Sequence, residues 1–517
     1  MTVLTPRSRS RLSLRGRALL AATLALVTFA EPALSQSRKR STKKKKPAAA
    51  APAPRVARWT SPRGAAVLNS DLGSILNGST RSGNWGVMVV SLTRGDTLFR
   101  RNEGEKLLPA STMKLYTAAV ALERLGPNHT FKTTVLSHGQ VNGGVLAGNL
   151  YLRGDGDPSL SPRYFPGERP MDQLARQVAA AGITRVAGDV IADATAFDER
   201  LVPEGWQSRY LGAAYAARVS ALSLNENLVW VVVTPAGRAA QVTLEPASTT
   251  TAVRNNVRVV AGRGGSISAV RTSDGSITVR GSIGRSSPPR KYSLVVVNPP
   301  LFTGGALAAA LEAAGVHVDG QVRIGQAPAD AKPVATISSP PLSLLITSMN
   351  RESINIFAEL LFRNAGRAAA NGAREGSAET GLAGLRDFLQ QKVKTDPAQV
   401  EAADGSGLSV LDRVTPRSMV QLLSYEHRAP WAAVWHASLP VAGLSETLRG
   451  RMRASPAQGN LHAKTGTTNT VASLGGYVTA RNGEIIAFSF IYNGTDRWNA
   501  KSAMDAMGST LAEFERE

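Results

Sequence analysis

The sequence predicts an α+β fold in which an antiparallel sheet flanked by helices is built from the two ends of the chain, with a large β-rich insertion between them. Three observations predict it. Apolar strand patterns occur near both ends, a buried helix follows the first pair of strands, and short strand-like runs fill a long central stretch. The length of 517 residues allows two or three domains with ample core.

The N-terminal part of the sheet is predicted from two strands, 85–91 and 97–101, joined by the turn Arg94-Gly95-Asp96. A buried helix follows, with Ser111 at its start, because apolar residues recur at helical spacing until Gly126-Pro127 stops the pattern. This helix is expected to lie behind the sheet.

The C-terminal part of the sheet is predicted from two apolar runs, 471–480 and 484–491, separated by Arg481-Asn482-Gly483. Asn-Gly between apolar runs is a hairpin signal, so these runs are expected to pair as antiparallel strands. A helix over 501–515 follows. The first and last strands of the chain are then able to pair in one sheet.

The middle of the chain is expected to hold an insertion, because more than two hundred residues separate Lys114 from Ser353. Strand-like runs occur at 145–152, 228–234, 241–244, 276–281 and 292–297. An apolar helix over 305–315 favours two nested domains within this region. We therefore expect a discontinuous catalytic domain, 59–128 and 336–517, interrupted by an inserted β-rich region, 129–335.

The N-terminus predicts export. Five arginines precede the apolar stretch 18–30, and the small residues Ala33-Leu34-Ser35 form a cleavage site, so 1–35 is predicted to be a signal peptide. That stretch is too short to span a bilayer well. We expect a periplasmic protein. The chain has no cysteine, which excludes disulfides and soft metal sites.

A basic, Pro/Ala-rich linker is predicted at 36–58. The formal net charge of the whole chain is +22. Residues 1–58 hold 14 of the 60 Lys and Arg residues and one of the 38 Asp and Glu residues. The remaining chain therefore has 46 basic and 37 acidic residues, a net charge of +9. The linker is a solvated tether that also suits peripheral association with an anionic envelope surface. Nucleic acid is not an expected partner, because an exported protein is separated from the nucleic acids of the cell.

Ser111 and Lys114 form a Ser-x-x-Lys motif at the start of the predicted helix. Residues three apart share a helix face, so the lysine lies within reach of the serine proton. Lysine becomes a base only when burial or nearby cations depress its pKa. The alternative is an ordinary capped helix. The same pattern at Ser41 and Lys44 lies in a lysine run without a core pattern.

Another candidate motif, Lys464-Thr465-Gly466-Thr467, is predicted to lie on a strand leading into the C-terminal hairpin. Gly466 has no side chain to block a substrate backbone running alongside. Strict alternation puts Thr465 and Thr467 on one face and Lys464 on the other. The alternative is a surface strand with a lone lysine.

These two motifs, together with Ser353-Ile354-Asn355 between them, resemble the penicillin-recognising serine enzymes, which carry Ser-x-x-Lys, Ser-Asp-Asn and Lys-Thr-Gly. Four further segments indicate which group of these enzymes the chain resembles: 154–158, 220–227, 349–355 and 404–409. They resemble the low-molecular-mass class C penicillin-binding proteins, which are D-alanyl-D-alanine carboxypeptidases and endopeptidases with a transpeptidase-like catalytic domain. The resemblance runs from about Val87 to the C-terminal helix.

The resemblance implies a role for each motif residue. Ser111 is implied to be the acylated nucleophile, Lys114 its general base, and Ser353 the proton relay to the leaving amine. The implied substrate-binding residues are Asn355, Lys464, Thr465, Gly466 and Thr467. The implied partners are peptidoglycan stem peptides ending in D-Ala-D-Ala, and β-lactams as covalent inhibitors. No cofactor or metal is expected.

Two positions depart from the family pattern: Ile354, where Asp is usual, and Asp412, where Asn is usual, so Asp412 is left out of the predicted site. Asp155 and Asp157 are interpreted as part of a solvated turn rather than as metal ligands. The glycine-rich segment 404–409 is either a turn or a lining of the cleft.

Two other functions remain open at this point. A serine β-lactamase on the same scaffold needs a residue that delivers water to the acyl-enzyme, and no Glu-x-x-Leu-Asn follows Ser353-Ile354-Asn355. A catalytically silent peptidoglycan-binding module is the other. The six histidines lack the spacing of a zinc peptidase.

Overall fold

The computed structural model describes residues 58–272, 274–372 and 374–517. The predicted signal peptide, and the predicted linker up to residue 57, lie outside the described residues. Within them the helices are α1 Ala65–Ser79, α2 Met113–Leu125, α3 Pro170–Ala180, α4 Pro299–Ala313, α5 Leu342–Glu352, α6 Asn355–Ala369, α7 Ala378–Phe388, α8 Pro416–Glu426, α9 Ala432–Ser438 and α10 Arg497–Glu513.

The strands, again within the described residues, are β1 Asn84–Ser91, β2 Thr97–Arg101, β3 Lys132–Asn142, β4 Val145–Gly154, β5 Arg185–Val186, β6 Val190–Asp193, β7 Leu228–Ala236, β8 Ala239–Glu245, β9 Val253–Val260, β10 Ile267–Arg271, β11 Ile277–Gly284, β12 Arg290–Val295, β13 His317–Val318, β14 Val322–Ile324, β15 Lys332–Ser338, β16 Val400–Glu401, β17 Arg413–Val414, β18 His462–Thr467, β19 Val471–Thr479 and β20 Ile485–Asn493.

The two ends of the chain form one antiparallel sheet in the order β18-β19-β20-β1-β2. Strand β1 pairs with β20 over its whole length, with Val87 opposite Phe490, so the predicted pairing of the first and last strands is confirmed. The predicted hairpin between the two C-terminal runs is also confirmed, since β19 pairs with β20. The last helix begins four residues earlier than predicted, at Arg497.

Both faces of this sheet are covered, which explains why β19 and β20 are apolar almost throughout rather than alternating. Phe488 and Phe490 point to one face, where they join the core formed with α1 and α10. Ala487 and Ile491 point to the other face, where they join the core around α2. The helix that carries Lys114 therefore packs against the sheet, as predicted.

Two further sheets come from the middle of the chain. One has six strands in the order β10-β11-β9-β8-β7-β12, and the other contains seven, with β13-β5-β4-β3-β15 as its main path. Both sheets share a hydrophobic core with α3 and α4. Strand β3 pairs antiparallel with β15, which brings Lys132 opposite Ser338. The middle region thus leaves and rejoins the rest of the chain at neighbouring points.

The segment 154–158 is not the solvated turn that the sequence suggested. Asp157 is almost completely buried and accepts hydrogen bonds from the backbone N–H and hydroxyl of Ser159. Asp155 forms an ion pair with Arg367 of α6, and Asn364 donates to the carbonyl of Gly156. The expectation was wrong because α6 covers this segment, which joins the middle region to the helical core.

Within 58–272, 274–372 and 374–517, every helix is too short or too polar to cross a membrane.

Replacing Phe490 by Ala tests the central sheet. The side chain is fully buried between β20 and α10, so its removal should cost about 3–5 kcal/mol of unfolding free energy. Urea denaturation monitored by circular dichroism measures the loss. Leu444→Ala is the control, because Leu444 is 56% exposed and its truncation should change stability by less than about 0.5 kcal/mol. Equal midpoints for the two variants would contradict the assigned core.

Candidate active site

Ser111 lies in a single 3₁₀ turn, Ala110–Thr112, directly before α2. The sequence placed it in the first turn of the helix itself, and the structure puts the α-helical start two residues later, at Met113. Two hydroxyls, from Thr112 and Ser473, donate to the carbonyl of Pro109 at 2.7 and 2.6 Å and hold the turn in place. Ser111 is half-buried there, so its hydroxyl stays accessible.

Lys114 is fully buried, and its ammonium group joins three parts of the fold. Nζ donates to Ser111 Oγ at 3.2 Å, to Asn355 Oδ1 at 2.6 Å and to the carbonyl of Ser406 at 2.7 Å. Burial lowers the pKa of Lys114 to about 8, and nearby carboxyl groups oppose that shift in part. The neutral form of this lysine is therefore a minority near physiological pH, but a far larger one than for an exposed lysine.

The second motif along the chain, Ser353-Ile354-Asn355, lies at a break between two helices. Helix α5 ends at Glu352, Ser353 adopts a left-handed conformation with φ 61° and ψ 41°, and α6 begins at Asn355. The break lets Ser353 and Asn355 reach the two buried lysines. Ile354 packs against the hydrophobic core around α2, which explains how an apolar residue is accommodated at this position.

The third motif along the chain, Lys464-Thr465-Gly466-Thr467, lies on β18, a strand at one edge of the sheet. Lys464 is fully buried, and its Nζ donates to Ser353 Oγ at 2.8 Å and to the carbonyl of Thr465 at 2.9 Å. Burial, and then the charge of Lys114, hold the pKa of Lys464 well below its usual range. The sequence alone did not show how Lys464 lies relative to the other motifs. The contact between Lys464 and Ser353 shows that it lies beside the second motif.

Gly466 explains how closely β18 approaches the Ser111 turn. A Cβ added at this position would lie 2.1 Å from Ser473 Oγ, 2.7 Å from the carbonyl oxygen of Pro109 and 3.0 Å from the backbone nitrogen of Ser111. Thr465 is half-buried and Thr467 is exposed. Within the described residues their hydroxyls make no hydrogen bond, so the structure does not join them to the other motif residues directly.

The loop 404–409 is a part of the site that sequence analysis left undecided. Asp404 is fully buried and accepts hydrogen bonds from four backbone N–H groups of this loop, from the Ser406 hydroxyl and from Trp206 Nε1. The loop curls around this carboxylate and presents the Ser406 carbonyl to Lys114. The Gly-x-Gly composition was the signal available in the sequence.

Two further groups were missed. Glu359 on α6 is buried, accepts from the N–H of Gly405 and lies near the lysine, and burial raises its pKa to about 8. The carbonyl of Tyr215, from the middle region of the chain, accepts a hydrogen bond from Asn355 Nδ2 at 2.7 Å. No motif in the sequence pointed to either contact.

The fold and the site together define a penicillin-recognising serine hydrolase: a serine at a helix start, paired with one buried lysine and faced by a second serine–lysine pair. Comparison with known proteins agrees. Residues 68–514 match the model of the D-Ala-D-Ala carboxypeptidase 3 (S13) family. The chain therefore belongs to that family.

Individual relatives cover most of the chain. A D-alanyl-D-alanine carboxypeptidase of Actinomadura sp. (strain R39) is 37% identical over 468 residues, which are 86% of this chain and 85% of that protein. The D-alanyl-D-alanine carboxypeptidase DacB of Haemophilus influenzae is 26% identical over 441 residues, 84% and 90% of the two chains. The crystal structure of penicillin binding protein 4 (dacB) from the same organism superposes with a TM-score of 0.72 at 24% identity, covering 86% of this chain and 99% of that one.

Gly466→Ala tests the close approach of β18 to the Ser111 turn. The added methyl group would overlap Ser473 Oγ and lie within 3.0 Å of the Pro109 carbonyl oxygen and the Ser111 nitrogen, so the strand and the Ser111 turn must separate. We expect covalent labelling by a fluorescent penicillin to slow by about tenfold or more, because near-attack geometry is lost.

The control is Gly73→Ala on α1, where an added Cβ meets no atom within 4 Å. Alanine in a helix should leave labelling unchanged and raise stability slightly. Unimpaired labelling of Gly466→Ala would show that the approach is not needed.

Proposed function

We propose that this chain is a serine-type D-Ala-D-Ala carboxypeptidase that acts on peptidoglycan stem peptides through an acyl-enzyme on Ser111. The observation that carries the proposal is the pair of serine–lysine contacts, Lys114 with Ser111 and Lys464 with Ser353, in one buried cluster. The family membership supports the same substrate class.

In the first step, neutral Lys114 accepts the Ser111 hydroxyl proton while Oγ attacks the carbonyl of the penultimate D-Ala. Asn355 orients the lysine through its 2.6 Å hydrogen bond. The backbone N–H groups of Ser111 and Thr467 receive the developing oxyanion, which preorganised donors stabilise strongly. The short distance between β18 and the Ser111 turn supports this placement of the two donors.

In the second step, the peptide bond breaks and the leaving D-Ala amine takes a proton from the Ser353 hydroxyl. Lys464 Nζ, 2.8 Å from Ser353 Oγ, supplies the replacement proton. Lys464 and the hydroxyls of Thr465 and Thr467 hold the terminal carboxylate of the substrate. As D-Ala leaves, the proton held by Lys114 passes to the neutral Lys464, so both lysines regain their starting states. Lys114 then takes a proton from the attacking water and returns it to Ser111 Oγ as the ester breaks, which releases the stem peptide without its last residue.

The lysine pair links substrate binding to activation. Each ammonium group disfavours the other, because both are buried and close. A substrate carboxylate arriving beside Lys464 favours the charged form of that lysine. The resulting cation opposes protonation of Lys114, so binding of the correct substrate end promotes the neutral base.

The pH dependence of acylation follows from the lowered pKa of Lys114. Below about pH 8 the lysine is mostly protonated and the acylation rate should rise by about tenfold per pH unit, and above that pH it should level off. Stopped-flow acylation by a chromogenic cephalosporin measures the profile. Lys114→Ala should abolish acylation with the fold intact. A rate independent of pH across this window, or normal acylation of the variant, would refute the assignment of the base.

Intact mass spectrometry of the chain after incubation with a penicillin tests the acyl-enzyme, with Ser111→Ala as the control. A stable single adduct that is lost in the variant supports a slowly deacylating wall peptidase. Rapid drug hydrolysis without an adduct would instead indicate a β-lactamase. Intact drug and no adduct would indicate a silent module.

The cross-link between two stems presents the same D-Ala acyl group, so we also propose an endopeptidase activity at this site. Incubation with a pentapeptide muropeptide and a cross-linked dimer, followed by chromatography and mass spectrometry, separates the two reactions. Release of D-Ala alone would restrict the enzyme to carboxypeptidase activity.

We also propose that the segment 1–35 directs export to the periplasm. We further propose that the chain divides into a catalytic domain and an inserted region, 129–335. The pairing of β3 with β15 supports the second point. N-terminal sequencing of the secreted chain locates the cleavage site. Vesicle sedimentation with and without the linker 36–58 tests peripheral association with an anionic surface.

A further inference from the structure

Asp412 is a fully buried acid next to the loop that holds Lys114. Its Oδ1 accepts hydrogen bonds from the backbone N–H groups of Ala403 at 2.8 Å and Asp404 at 3.2 Å. Its Oδ2 is also buried and, within the described residues, no N–H or O–H donor reaches it. The neighbouring Arg413 directs its guanidinium to the carbonyls of Val410 and Asp412 rather than to this carboxyl group.

The acid that faces Asp412 is Asp404: its charge acts on Asp412, and its own backbone N–H donates to Asp412 Oδ1. A buried carboxyl oxygen with neither a donor nor a cation beside it is costly to ionise, so we expect this pair of acids to hold one proton. Asp404 already accepts hydrogen bonds from four backbone N–H groups, one hydroxyl and one indole, which stabilise its anionic form. Asp412 Oδ2 has no comparable donor, so it is the better site for the proton.

We propose that Asp412 is a neutral carboxylic acid at physiological pH, that its Oδ2–H donates to Asp404, and that this proton positions the loop 404–409 beneath Lys114. Asp412 is thereby a positioning residue, which acts on the base through Asp404 and the Ser406 carbonyl. The inference rests on the proposed role of Lys114 and adds a group that acts on it.

The charges around this cluster show why a neutral Asp412 matters. The titratable groups around it are Asp404 and Lys114, both buried, and Glu359 is a third buried acid beside the same lysine. Each ionised acid here raises the pKa of Lys114 and so holds the lysine in its charged, inactive form. Burial, and then the charge of Asp404, raise the pKa of Asp412 well above its usual range. A neutral Asp412 supplies a hydrogen bond to Asp404 without adding an anion beside the base.

Asp412→Asn tests the protonation state, because an amide accepts through Oδ1 and donates through Nδ2 as the neutral acid does. We expect the midpoint of the pH profile of acylation to stay within about 0.3 pH unit of the unsubstituted chain, with the maximal rate within about threefold. If Asp412 were ionised, the substitution would remove an anion near Lys114. The midpoint would then move to lower pH by about half a unit or more, which would overturn the proposal.

Asp412→Ala tests the positioning role, because alanine has no donor for Asp404. Acylation should fall by about tenfold or more and Asn should restore it, which a merely space-filling role does not predict. Equal rates for the Ala and Asn variants would refute the role of the hydrogen bond. Asp396→Asn is the matched control, since Asp396 is exposed and only caps a turn.

An infrared difference spectrum between the unsubstituted chain and Asp412→Asn reads the proton directly, whether or not Ser111 is acylated. A carbonyl stretch of a protonated carboxylic acid, lost in the variant, is expected near neutral pH. Only carboxylate bands in the difference would overturn the proposal. Because this measurement needs no turnover, its outcome is independent of the proposed peptidase activity.

Discussion

The active site depends on burying two lysines in one small space. Lys114 and Lys464 are both fully excluded from solvent, and a charged ammonium group in such surroundings is costly unless it is hydrogen-bonded. The fold meets this constraint with oxygen acceptors: Ser111, Asn355 and a loop carbonyl around one lysine, Ser353 and a strand carbonyl around the other. Removing the two ammonium groups from water costs folding free energy, and the same desolvation lowers the pKa of both lysines.

Bringing these acceptors to the two buried lysines requires left-handed backbone conformations where the helices and strands meet. Ala110, directly before the nucleophile, has φ 47°, and Ser353 has φ 61°, both in the left-handed region that non-glycine residues rarely occupy. Gly407, with φ 82°, lies so close to Ala110 that an added Cβ would overlap its carbonyl. Such strain persists only where surrounding contacts determine it, and here the contacts are those of the lysine cluster.

The middle region of the chain takes part in this arrangement instead of lying apart from it. The carbonyl of Tyr215 fixes the amide of Asn355, Trp206 completes the set of donors around Asp404, and the ion pair of Asp198 with the buried Arg363 fastens the region to α6. Truncating this region would therefore expose polar groups that now have partners near the second motif and beneath Lys114.

The sequence by itself determined the elements whose signals are local. The spacing of Ser111 and Lys114 predicted their contact, and the apolar runs around Asn482-Gly483 predicted the β19–β20 hairpin, because helix and hairpin geometry depend on neighbours in the chain. The contact of Lys464 with Ser353, the burial of Asp157 and the placement of Asp404 beneath the base were decided only by the tertiary structure. Those contacts join residues from different elements, so strand register and helix packing place them, and neither is encoded in any short stretch of sequence.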